Sequence, residues 1–128
     1  MQKETLKFIG DALASAGIPY EYEEFNSSIE SLNRYWVGEY SESEPMTEDG
    51  LEESTFILSG YAKEDPLILE NDKKTIKQLF PAIGGNMAIL GNGSGVAVFY
   101  VNAFPVPTGD DFIKKLQINL TIKEWMVE

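Results

Sequence analysis

The sequence contains no cysteine and no histidine. Without cysteine there are no disulfides, no thiolate metal ligands and no thiol nucleophile. Without histidine the chain lacks the side chain best suited to proton transfer near neutral pH, and the commonest metal ligand. Serine–histidine–acid and cysteine–histidine sites are therefore excluded outright. Positive charge is also scarce: 10 Lys and Arg stand against 21 Asp and Glu, a net charge of −11. Such a chain repels nucleic-acid phosphates rather than binding them tightly. Lys114-Lys115 is too short for a nucleic-acid patch, and no basic stripe with interleaved aromatics exists. No run approaches the roughly 18 consecutive apolar residues of a membrane span. The start, Met1-Gln2-Lys3-Glu4, lacks the basic cap and apolar block of a secretory signal. The expectation is a soluble protein without a membrane partner, folded where it is made.

What is present suits one compact domain. A chain of 128 residues with 43% apolar and 12% aromatic content can build a core without staples. The acidity is concentrated. Residues 21–53 carry eleven acids against Arg34 alone, whereas residues 54–128 carry seven lysines against eight acids.

Leu6, Ile9, Leu13 and Ala16, widened by Phe8 and Ala12, give a helical stripe from about Glu4 to Ala16. Gly17 stands where a helix end favours a left-handed residue, and Pro19 discourages continuation. Pro19–Phe25 alternates as a short, Glu-rich strand suited to a sheet edge. Arg34–Tyr40 is a second strand, with Tyr35, Val37 and Glu39 on one face and Trp36, Gly38 and Tyr40 on the other. Rings on both faces exceed what one core needs, so one face is expected to meet another subunit. Ser41–Ser54 reads as an exposed acidic loop. Thr55–Tyr61 is a third strand. A second helix starts with Asp65 as cap and Pro66 in the first turn. Leu69, Ile76, Leu79 and Phe80 form its stripe, with Asp72 among the residues placed off it.

Asn86–Trp125 supplies the rest of the sheet. Met87–Leu90 and Val96–Val101 flank Gly91-Asn92-Gly93-Ser94-Gly95, and a turn is expected around Pro105–Asp110. Leu116–Lys123 alternates apolar and polar without a fault, which reads as a strand with one buried face. Its polar face, Gln117, Asn119 and Thr121, could pack in an assembly. The expected fold is α+β: a mostly antiparallel sheet of five to six strands with two helices on one face. The element order is α-β-β-β-α-β-β-β, in a single domain spanning residues 1–128 with an acidic loop at 41–54.

No motif carries chemistry. The glycine-rich stretch runs into a strand rather than a helix and no Lys-Ser or Lys-Thr pair follows, so it reads as a hairpin turn and not a phosphate cradle. The acidic loop lacks the spacing of a calcium-binding loop. Glu23 and Glu24 point to opposite faces and make a poor acid–base couple. Asp110-Asp111 reads as the start of a turn. No catalytic, cofactor-binding or metal-binding residue is expected, and no small-molecule substrate.

The opening helix through Leu6, Ile9 and Leu13 with Ile18-Pro19-Tyr20, the strand Tyr35-Trp36-Val37-Gly38-Glu39-Tyr40, and the closing Leu116-Gln117-Ile118-Asn119-Leu120-Thr121-Ile122-Lys123-Glu124-Trp125 together resemble a group of phage proteins. These are the small α+β proteins of tailed-phage neck and tail assembly, in particular the tail-terminator and head–tail joining group. The resemblance implies a non-enzymatic structural protein that forms a ring, often a hexamer, at the tail–head junction. It implies as partners further copies of itself and tail-tube or neck proteins. It places the protein in the bacterial host's cytoplasm during assembly and then in the virion. Beside it, the residues alone permit a second class, an acidic immunity or inhibitor module that blocks a basic protein. In either class the expected contact residues are Tyr35, Trp36 and Tyr40 with Glu42, Glu44, Glu48, Asp49, Glu52 and Glu53.

Overall fold

A computed structural model describes residues 1–23, 33–42 and 50–125. Helix α1 (Lys3–Ser15) leads to strands β1 (Tyr20–Tyr22), β2 (Arg34–Glu42) and β3 (Leu51–Lys63). Helix α2 (Leu67–Leu79) follows, and then β4 (Asn86–Ile89), β5 (Gly95–Val106) and β6 (Ile113–Trp125). Among the described residues the fold is mixed α+β, with two helices and one six-stranded sheet in the order β1-β2-β3-β6-β5-β4. Only β1 and β2 run parallel; every other neighbouring pair is antiparallel.

Two thirteen-residue strands, β3 and β6, form the centre and pair along their whole length. Every second residue of each is buried: Ser54, Phe56, Leu58, Gly60 and Ala62 face Leu116, Ile118, Leu120, Ile122 and Glu124 on one side. That period of two follows from the pleat. The helices cover this side, and Ile9, Leu13, Leu69 and Ile76 join the strand residues in one core cluster. The opposite face of the sheet is half-buried rather than closed.

Local chemistry explains the element ends. Ile18 N–H reaches back to Leu13 O and Gly17 N–H to Ala14 O, with Gly17 at φ 77°, so α1 closes in a double carbonyl cap. Asp65 Oδ1 accepts from Leu67 N–H at 2.9 Å and starts α2. After β3, α2 carries the chain across the covered face to the far edge, where β4 begins; β5 and β6 then bring it back to the centre.

Several boundaries differ from the sequence reading. The acidic connection is shorter than 41–54, because β2 and β3 stay paired from Arg34↔Ala62 out to Glu42↔Ser54. Cross-strand pairing outweighs the low strand preference of Ser and Glu there. Residues 43–49 of that loop lie outside the described residues. The expected turn at Pro105 starts later: β5 continues to Val106, with a bulge between Tyr100 and Asn102. Proline is tolerated there because, among the described residues, β5 has β6 on one side and no strand on the other at that end.

Asp72 is the largest departure. Expected off the apolar stripe, it is buried and accepts from Trp36 Nε1 at 2.9 Å and Arg34 Nε at 2.7 Å. Its place three residues after Leu69 and four before Ile76 puts it on the buried face of α2.

Candidate functional site

The expected contact residues separate into four environments. Trp36 is fully buried and cannot meet a partner; the expectation that it does is corrected. Its indole packs over Gly60, where a Cβ would come within 2.6 Å of the ring. Only a glycine leaves room for it, and Asp72 takes its N–H. Tyr35 lies on the open face, half-buried, stacked on Tyr61 with ring centroids 5.1 Å apart and planes at 17°. Lys115 Nζ sits 5.4 Å from the Tyr61 ring centroid. Burial raises the Tyr35 hydroxyl pKa, and Tyr61 adds to that. Tyr40 is exposed at the end of β2, 6.3 Å from Tyr22. Glu53 faces the open side opposite Lys123 of β6. Glu44, Glu48 and Asp49 lie outside the described residues.

Glu42 and Glu52 belong to a polar anchor that sequence reasoning missed. The Met1 amine contacts Glu42 and lies 3.6 Å from Glu52. Next to them the buried Glu124 accepts from Thr5 Oγ1 and from Gln2 N–H. Burial opposes the charge on the amine, but the Glu42 hydrogen bond and the nearby carboxylates Glu124, Glu42 and Glu52 outweigh it, so its pKa is raised. The hydrogen bond from the amine, helped by one from Glu52, holds the Glu42 pKa down. Burial and the shared hydrogen bond with Glu42 push Glu52 up. These groups fasten α1 to the ends of β2, β3 and β6. The signal in the sequence was the even-numbered register of β6: Glu124 continues the series Leu116, Ile118, Leu120, Ile122.

The open face carries a polar ladder. Gln117 Nε2 donates to Asn119 Oδ1 at 3.1 Å, and Asn119 Nδ2 donates to Asn102 Oδ1 at 2.8 Å. Between its β1 end and Lys115 lies a polar recess of about 330 Å³, lined by Glu23, Tyr35, Glu39, Ser59 and Tyr61 among others. Among the described residues no cluster of acids could hold a metal ion. No described helix is long and apolar enough to cross a membrane.

The least expected surface is the far edge. From Gln78 to Gly109 no residue is charged, in a chain where 24% of residues are. This stretch forms the end of α2, then β4 and β5. It exposes Ile83 (94%), Ile89 (78%), Met87 (66%), Val101 (52%) and Phe104 (41%). Met87 and Ile89, with Trp125 of β6, line an open recess of about 760 Å³. Met87, Ile89 and Trp125 thus share one exposed apolar surface, of the kind from which contact sites are built. The uncharged run Gln78–Gly109 is the feature of the sequence that corresponds to this edge.

Comparison with protein-family models and with curated proteins finds no match. The fold itself recurs. Among 10 matching chains of solved structures, one covers 98% of this chain and 93% of its own length with a TM-score of 0.70. The two share 15% sequence identity. At that identity the likeness shows the fold and carries no activity or partner.

Proposed function

We propose that this protein is a non-catalytic assembly subunit of a phage or prophage tail or neck, building a ring at the tail–head junction. The observation that carries the reading is the uncharged, apolar sheet edge of β4 and β5. Exposed apolar surface and a strand edge without charge invite pairing with another chain. The open sheet face, with Tyr35 stacked on Tyr61 and the Gln117–Asn119–Asn102 ladder, supplies further area for a neighbour. The phage assignment itself rests on the sequence resemblance. The test is the mass in solution, by light scattering after gel filtration, with electron microscopy of the peak. A discrete ring of many times 14.3 kDa, alone or with tail-tube protein, is expected. A monomer under both conditions would end the reading.

The acidity of residues 21–53 favours one alternative, an inhibitor of a basic protein. That reading predicts a monomer which forms a salt-sensitive one-to-one complex with its target.

A further inference from the structure

We draw no further inference here: the strongest candidate, the open apolar recess that Met87, Ile89 and Trp125 line beside the β4 edge, carries none, because nothing in the structure shows what covers it.

Discussion

At one edge of the sheet, β1 carries Glu21, with Glu23 just beyond it and Glu39 beside it; at the other, β4 carries Met87 and Ile89 in a stretch without a charge. The acidic edge is guarded in the way natural proteins guard free strands. The neutral edge is not. Their attachments differ as well. The acidic edge is held by large rings: Trp36 fills the space over Gly60 and ties β2 to α2 through Asp72, and Tyr20 and Phe56 pack over Gly38. The neutral edge is held by the small side chains Val96, Ala97 and Val98, and by Phe80, whose carbonyl accepts from Tyr100 N–H at 2.9 Å. One edge is firmly anchored and repels; the other is lightly built and exposes apolar surface.

The comparison breaks most severely at Trp36. Trp36→Ala empties a fully buried site and should cost about 3–5 kcal/mol, read from urea unfolding. Hydrogen exchange should rise first in β1 and β2, with β4 and β5 keeping more of their protection. Equal loss at both edges would show that they open as one unit. Gly60→Ala tests the same anchor from beneath. Its Cβ would meet the indole at 2.6 Å, and displacing the ring should cost about 1–3 kcal/mol. An unchanged unfolding midpoint would mean that the ring shifts freely.

The smallest effect concerns the polar anchor at the chain's start. The Met1 amine has a raised pKa, so its contribution is present in full below its ordinary value of 8.0 and fades as pH rises through the raised one. Glu42 has a lowered pKa, so its contribution is present above 4.5 and is lost as pH falls through the depressed value. Glu52 runs the other way: its raised pKa means that ionising it in the fold costs stability above 4.5. Melting temperature should therefore decline on the alkaline side. Acetylating the amine should remove that dependence while leaving assembly at neutral pH unchanged. A pH profile indifferent to acetylation would show that the anchor contributes nothing measurable.

Much of the architecture was legible from periodicity. The period-two run Leu116–Lys123 lies within β6 and buries Leu116, Ile118, Leu120 and Ile122 as its alternation required. The stripe of α1, the Gly17 terminus and the Asp65 start follow from local rules that act over a few residues. The Gly91–Gly95 turn joins β4 to β5, with Leu90 N–H bonded to Ser94 O at 2.8 Å. Which side of each strand is covered was less legible. Aromatic content marked Tyr35, Trp36 and Tyr40 alike, because a ring's identity does not tell which side of a strand will be covered. Asp72 and Glu124 were missed for a related reason: charge argued for solvent, while their positions in the pattern argued for burial.

The sequence by itself determined the α+β class, the buried face of the central strand β6, the exclusion of histidine and cysteine chemistry, and the placing of nearly all excess charge in residues 21–53. These depend on local backbone preference and on composition, which need no partner segment. Only the tertiary structure decided that Trp36 is core while Tyr35 is surface, that Asp72 and Glu124 fasten helices to strands, and that Glu21 of β1 and the uncharged β4 stand at opposite edges of one sheet. Those facts depend on strand order, because α2 crosses the covered face and sets β4 as far from β1 as the sheet allows. Strand order is settled by contacts between residues distant in the chain, and no local preference encodes it.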